Sequence, residues 1–362
     1  MAYQGVGKCR FFIDYFQIYN ALGLGHTAVK DRFNGQVIPL DVHSHLFSLN
    51  PYKIYNTSTG FLGNSPTSNV CVPFYEFYNP VNLTDIEYFA VLGHNLNTMQ
   101  ENLFYDFGNF NPTAFRGVGS EHSFGNYNNG DFETIVNMSN GANSDFPVQY
   151  DGFSIQKLNM KAKSATENVL GIHLKNTTSS DDPVYKIGSF SMGIIHEMPS
   201  SEVDITMTHE LEGVRRTRTK GGVDIVDVDY TGNPSWGDLG AWEIDNNSLP
   251  NKRLARSGRR SWQLKFNFMA NSDLLPKYSS ANVIETDDVN AASPDQYTIA
   301  GSRDFYSDVI QKTRGRFKFI FQPDSTNTNP DGFAICKLDK NFKMKQVANT
   351  VYNISLRIRE VW

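Results

Sequence analysis

Apolar and polar residues alternate with a period of two along much of the chain. This pattern predicts β-strands, because successive side chains of a strand point to opposite faces. The residues that share one face of SWQLKFNF (261–268) are Trp262, Leu264, Phe266 and Phe268. In NISLRIREVW (353–362) every second residue from Ile354 to Ile358 is apolar, and Glu360 continues that face. The pattern predicts a half-buried antiparallel strand at the C-terminus.

Similar short runs recur between Gly-, Asn-, Asp- and Pro-containing turns, whereas helical periodicity is scarce. Aromatic residues, which are enriched in strands, make up 13% of the chain. The best helical segment is SRDFYSDVIQKTR (302–314), flanked by Gly301 and Gly315. Its apolar stripe is formed by Phe305, Tyr306, Val309 and Ile310. We therefore expect a mainly β protein with one packed helix near residues 303–313.

A shift in composition at HEMPS (196–200) predicts a domain boundary. The preceding strands are rich in aromatic residues and Asn, whereas the following segments carry denser charge. The predicted domains are residues 1–195, with long loops, and residues 196–362, with the helix. No repeat of fixed period is visible.

The bulk charge and the cysteines restrict the classes of partner. The net charge of −5 provides no basic field for a phosphate backbone, so nucleic acid is not an expected partner. The three cysteines, Cys9, Cys71 and Cys336, lie far apart and predict neither a zinc site nor a disulfide framework. We also expect no signal peptide and no membrane-spanning helix, because no apolar run is long enough.

Motifs for catalysis, cofactors or metals are missing from the sequence. His196-Glu197 and His209-Glu210 do not continue to HExxH, since Ser200 and Gly213 stand where the second histidine would be. Neither a phosphate-binding GxxxxGK[ST] loop nor a GxSxG nucleophile elbow occurs. The expectation is a protein that is not an enzyme and holds no cofactor or metal.

The segment FAVLGHNL (89–96) ends an apolar run at Gly93, His94 and Asn95. The run predicts a strand buried on both faces, followed by a turn at which Gly93 takes a positive φ. His94 and Asn95 would then bind backbone groups at the turn. The alternative is that they contact a ligand.

Two further features suggest subunit contacts. Arg215, Arg216 and Arg218 form a cluster that is either a solvated face or an interface to an acidic neighbour, with a local nucleic-acid contact as a third reading. Trp362 is the last residue, and a tryptophan is rarely left in water. We expect it to be buried in its domain or at a subunit contact.

Several segments, taken in order, resemble structural proteins of tailed phages. YFAVLGHNL (88–96) resembles a stretch of virion proteins that have a galactose-binding-like jelly roll. YKIGSFSMGIIHEMPSSEVDITMT (185–208) resembles their junction into a second domain. The C-terminal segments that carry the resemblance are GRRSWQLKFNF, DFYSDVIQKTRGRFKFIFQPDS, NPDGFAICKL and YNISLRIREVW. The likeness covers most of the chain but depends on no single invariant motif.

The resemblance implies a component of the phage tail near its tip or baseplate, similar to distal tail proteins. It implies an N-terminal galactose-binding-like jelly-roll sandwich and a C-terminal ring-forming, tail-tube-like β-barrel or sandwich. Such a protein would form a homo-oligomeric ring (hexamer or trimer) in the virion tail after synthesis in the host cytoplasm. Its partners would be tube, hub and fibre proteins, with no nucleic acid or membrane.

The order of the domains departs from the family. Distal tail proteins usually place the ring-forming domain first, whereas the jelly-roll-like part comes first here. Pairing of the early strand CRFFIDYF (9–16) with the C-terminal domain would reconcile the two orders.

Two other hypotheses remain. In the first, the chain is a carbohydrate-binding protein for host attachment, with candidate glycan contacts at His94, Asn95, Asn126 and Tyr127. In the second, it is a hydrolase of the cell envelope, which no residue spacing supports.

Overall fold

The computed structural model describes a subset of the chain. The described residues are 7–23, 25–30, 37–38, 44–50, 55–56, 69–70, 72–77, 86–95, 102–108, 133–136, 148–150, 152–157, 169–175, 186–199, 203–210, 214–228, 259–275, 304–328, 332–339 and 342–361. In these ranges the protein is mainly β, with antiparallel strand pairs and few helices.

The strands, in chain order, are β1 (Arg10–Asp14), β2 (Gly25–Lys30), β3 (Val37–Ile38), β4 (Tyr55–Asn56), β5 (Asn69–Val70), β6 (Val72–Phe77), β7 (Tyr88–Leu92), β8 (Asn102–Gly108), β9 (Glu133–Val136), β10 (Val148–Tyr150), β11 (Phe153–Lys157), β12 (Val169–Lys175), β13 (Lys186–Ile187), β14 (Ser189–Glu197), β15 (Val203–Glu210), β16 (Val214–Arg218), β17 (Asp224–Val228), β18 (Arg259–Ala270), β19 (Phe319–Gln322), β20 (Ala334–Leu338), β21 (Lys343–Ala348) and β22 (Val351–Glu360). The helical segments are α1 (Tyr15–Leu22), a 3-10 helix (Ser44–Phe47), α2 (Asn271–Leu274) and a π-helix (Tyr306–Gln311).

An eleven-stranded antiparallel sheet contains most of the described core. Its order is β10-β11-β7-β14-β1-β19-β20-β22-β18-β15, and β21 pairs with β22 beside that path. A seven-stranded sheet has the order β3-β2-β6-β12-β8-β9, with β5 beside β12. Two small sheets pair β13 with β4 and β16 with β17.

The central strands of the large sheet are buried on both faces. In β7, Phe89 and Val91 belong to one apolar cluster, whereas Tyr88, Ala90 and Leu92 belong to the other. This confirms the prediction of a strand with two buried faces. β1 is divided in the same way, and its Phe11 ring lies 5.1 Å from Phe321 and 5.8 Å from Phe305, between ring centroids. Close aromatic pairs of this kind stabilise a core beyond their buried area.

Strand β1 connects the two ends of the chain. It pairs with β14 on one side and with β19 on the other, for example Phe11 with His196 and with Phe321. The predicted pairing of CRFFIDYF with the C-terminal region is therefore present. β14 runs through the predicted boundary between residues 195 and 196, and the large sheet contains strands from both sides of it. The division into two domains stays a prediction.

The predicted helix is present, but as a π-helix preceded by one α-helical residue and followed by two. Phe305 and Val309 are buried as the apolar stripe required, and Gly315 follows at a φ of 64°. In β22, Ile354, Leu356 and Ile358 are buried together with Glu360, which confirms the half-buried C-terminal strand.

The prediction for β18 was wrong at one residue. Trp262, Leu264 and Phe266 are buried on one face, but Phe268 is 63% exposed. The pairing with β22 shifts between Phe266 and Met269, and Phe268 takes a φ of 56°. This bulge reverses the alternation, so that Met269 enters the core in place of Phe268.

Candidate functional site

The predicted arginine cluster lies on a two-stranded ribbon formed by β16 and β17, residues 214–228. The strands pair from Val214 with Val228 to Arg218 with Asp224. In the connecting turn the backbone N–H of Gly222 donates to the carbonyl of Thr219 (2.9 Å), and Gly222 has a φ of 84°. A glycine in this conformation closes a short hairpin loop without steric cost. Lys220 lies in this turn.

The ribbon exposes both its charges and its apolar side chains. Arg216 and Arg218 are exposed, as expected for a solvated face or an interface. Val223, Ile225 and Val226 are also exposed, by 63%, 53% and 52%. Large apolar side chains grouped at the surface are typical of a contact with another molecule. The ribbon is therefore a candidate surface for subunit contact.

One ion pair joins the two strands of the ribbon. Nε of Arg218 lies 3.8 Å from Oδ1 of Asp224, and both side chains are about three-quarters exposed. Such a pair contributes little to stability in water. For Arg215 the structure describes only the backbone, which lies opposite Asp227 in the register.

The corner after β7 is a buried structural feature. Gly93 takes a φ of 64°, and its N–H donates to the carbonyl of Gly152, whose own N–H donates to the carbonyl of His94. Oδ1 of Asn95 accepts a hydrogen bond from the N–H of Lys186 at 2.8 Å. His94 is 0% and Asn95 7% exposed. These contacts favour the structural interpretation over a glycan contact.

Three of the predicted site residues are not described. Asn126, Tyr127 and Trp362 lie outside the described residues. Their roles stay predictions. The two described groups of candidates are on different parts of the fold, because the ribbon forms its own small sheet and the corner follows a strand of the large sheet.

A buried cluster that the sequence did not predict joins β14 to the π-helix. Nδ1 of His196 lies 3.1 Å from Oδ2 of Asp308, and Nζ of Lys312 donates to Oδ1 of the same carboxylate at 2.7 Å. Burial raises the pKa of Asp308, but the hydrogen bond with His196 and the charge of Lys312 outweigh burial and hold it below its usual value. Asp308 and Lys312 stand four residues apart, which was the one local signal for this cluster.

A second buried cluster surrounds Asp14, at the junction of β1 and α1. Its side chain caps α1 by accepting from the N–H of Gln17, and it also accepts from Oγ of Ser191 at 3.1 Å. Oγ of Ser191 lies 2.8 Å from the hydroxyl of Tyr88. Burial raises the pKa of Asp14 to about 6. The sequence signal was an aspartate three residues before Gln17 at the end of an apolar run, which is typical of a helix N-terminus.

Glu360 is buried because Arg260 binds it in a fork. Nη2 of Arg260 donates to Oε1 of Glu360 at 2.9 Å, and Nε donates to Oε2 at 3.1 Å. The same Nη2 also donates to the carbonyl of Phe333. The paired geometry compensates for moving both charges out of water. The pairing with Arg260 explains why an acidic residue, Glu360, lies on the buried face of β22.

These clusters connect elements of the fold, and none of them forms a metal-binding group. Across the described ranges, no three His, Cys, Asp or Glu side chains are grouped to hold a metal ion. Cys9 and Cys336 are buried free thiols. None of the helices in the described ranges has the length and apolar character needed to span a bilayer.

No family model, curated protein or solved structure matches the chain.

Proposed function

We propose that this protein is a structural subunit of a phage tail, joining the tail tube to the tip or baseplate as part of a ring. The observation that carries the proposal is the exposed ribbon 214–228, with its apolar side chains Val223, Ile225 and Val226. A structural subunit needs a surface that another chain covers, and the exposed apolar side chains of this ribbon offer one.

The assignment to a phage tail comes from the resemblance of ordered segments, from YFAVLGHNL (88–96) to YNISLRIREVW (352–362). The finer fold belongs to the same proposal. Residues 1–195 would contribute a galactose-binding-like jelly roll, and residues 196–362 a tail-tube-like ring-forming domain. The antiparallel, mainly β architecture is compatible with both parts.

The large sheet supports a scaffold role in one further way. Its central strands are buried on both faces, and buried ion pairs fix their neighbours. A rigid sheet would give every subunit of a closed ring the same scaffold.

Sedimentation velocity and negative-stain electron microscopy of the purified full chain test the assembly. We expect a concentration-dependent oligomer and closed rings of hexameric or trimeric symmetry. Virions labelled with antibody against the chain test the location, and the label should lie near the distal end of the tail. A chain that stays monomeric, together with tails that carry no label, would refute the proposal.

A further inference from the structure

The ribbon 214–228 separates its charges by strand. β16 contains Arg215, Arg216 and Arg218 and no acidic residue, whereas β17 contains Asp224 and Asp227 and no basic residue. The ribbon therefore has one basic outer edge and one acidic outer edge. Two such ribbons placed side by side can bring edges of opposite charge together.

The ribbon is also too small to be stable without further contacts. A two-stranded hairpin alone is marginal in water and usually needs a third strand or a packed face. In the described part of the chain, β16 and β17 pair only with each other. Thr217 lies opposite Ile225, and Arg216 lies opposite Val226, so apolar residues occur on both faces of the ribbon. Ile225 and Val226 are both about half exposed.

We propose that the ribbons of neighbouring copies join edge to edge, with the acidic β17 of one copy against the basic β16 of the next. This inference rests on the proposed function, and it names the contact that closes the ring. The main-chain groups of the two edges would form an antiparallel ladder. The exposed apolar side chains of adjacent ribbons would then cover one another on each face of the joined sheet.

Strand direction agrees with this arrangement. β16 and β17 are antiparallel within one ribbon. When identical ribbons repeat around a ring in the same orientation, β17 of one copy runs antiparallel to β16 of the next. Every contact is then an antiparallel pair of unlike edges, which is a heterologous interface that can close.

A two-fold dimer would join the edges differently. It would place β16, with its three arginines, beside a second β16, or β17, with its two aspartates, beside a second β17. Like charges on adjacent strands repel each other, most strongly where they lie directly opposite. The charge pattern therefore favours a ring over a two-fold pair.

Three full-length variants test this contact. The acidic-ribbon chain has Arg215→Glu, Arg216→Glu and Arg218→Glu. The basic-ribbon chain has Asp224→Lys and Asp227→Lys. The swapped chain has all five changes. The control is Lys343→Glu with Lys345→Glu, which reverses two exposed charges on β21, another exposed strand. Circular dichroism and thermal melting establish that each variant is folded.

Sedimentation velocity and native mass spectrometry measure the assembly. We expect self-association of the acidic-ribbon and basic-ribbon chains to be about tenfold weaker or more, because several cross-strand pairs become repulsive. If the wild type is a hexamer, an equimolar mixture should form rings in which the two chains alternate, with equal numbers of each. A trimer has an odd number of subunits and cannot alternate, so in that case the swapped chain provides the test of recovered assembly. The swapped chain should assemble like the wild type, and so should the control.

The outcomes separate this contact from the proposed function. If the wild type forms rings and the acidic-ribbon and basic-ribbon chains assemble normally, the proposed contact is wrong but the ring-forming role is not contradicted. For a hexamer, a mixture that does not recover assembly would also overturn it. For either ring, a swapped chain that stays monomeric would overturn it as well. Wild-type protein that stops at a dimer would contradict the heterologous contact. A strictly monomeric wild type would overturn the contact, and it would refute the proposed function only together with tails that carry no label.

Discussion

His196 and Asp308 connect the central sheet to the π-helix across 112 residues of sequence, with Nδ1 of the imidazole 3.1 Å from Oδ2 of the carboxylate. The second carboxylate oxygen of Asp308 accepts from Lys312, whose side chain is only 4% exposed. Each oxygen of the Asp308 carboxylate therefore has one buried partner, the imidazole of His196 or the ammonium group of Lys312. Removing its charge would leave the ammonium group of Lys312 buried without compensation.

Asp308→Asn should therefore destabilise the protein by roughly 3–5 kcal/mol, as expected when one partner of a buried ion pair is lost. Urea denaturation measures the change in the free energy of unfolding. Asp273→Asn is the matched control, because Asp273 is exposed, and it should change stability by no more than about 0.5 kcal/mol. Equal effects of the two substitutions would contradict this role for Asp308.

A substitution at Gly193 tests how closely the backbones of β14 and β1 approach each other. A β-carbon at Gly193 would collide with the backbone carbonyl oxygen of Ile13, and a backbone atom cannot turn away as a side chain can. Gly193→Ala should cost roughly 2–4 kcal/mol, measured by thermal or urea denaturation. At Gly221 the nearest atom is Oγ1 of Thr219, 4.0 Å away, so Gly221→Ala should be nearly neutral. Similar stabilities of the two variants would show that β1 can move.

Local patterns predicted the elements, whereas contacts between distant segments could not be predicted. Alternation identified β22, and the apolar stripe with its flanking glycines identified the helix around Val309. The pairing of His196 with Asp308 has no such signal, because it depends on how β14 and the π-helix pack. The bulge at Phe268 also escaped prediction, since it arises from register with β22 and not from the alternation in β18.

The position of Phe268 leads to a third prediction. A left-handed backbone costs most residues about 1–2 kcal/mol, whereas asparagine adopts it more readily. Because the ring is 63% exposed, removing it forfeits little packing. Phe268→Asn should thus stabilise the protein by roughly 0.5–1 kcal/mol in urea denaturation. Phe268→Ala retains the unfavourable backbone conformation and serves as the control, and a gain with alanine as large as with asparagine would rule out backbone strain.

Asp14 gives a prediction about pH. Burial raises its pKa from 3.8 to about 6, so the folded protein binds a proton more tightly than the unfolded chain. The stability that this group contributes is fully present below pH 3.8 and is lost as the pH rises through about 6. The total change is on the order of 3 kcal/mol. Asp308, with its lowered pKa, has the opposite sign and loses its contribution as the pH falls.

Comparison of wild type with Asp14→Asn isolates this effect, because the other carboxylates cancel in the difference. The free energy of unfolding is measured by urea denaturation at several pH values. The wild type should lose stability relative to the variant between about pH 4 and pH 6. A flat difference for Asp14 would mean that its carboxyl is not perturbed by burial.

His94 distinguishes the structural corner from a glycan site. Its side chain is fully buried, and its carbonyl accepts from Gly152, so the residue belongs to the turn that ends β7. His94→Ala should lower the free energy of unfolding by roughly 1–3 kcal/mol, because the fully buried imidazole is lost while the backbone hydrogen bond of the turn remains. Thermal melting and a glycan array are measured on the same variant, with Tyr127→Ala as the comparison from the other predicted glycan segment. Unchanged melting with lost glycan binding in His94→Ala would identify a ligand contact, whereas lowered melting without any glycan signal in the wild type supports the structural corner.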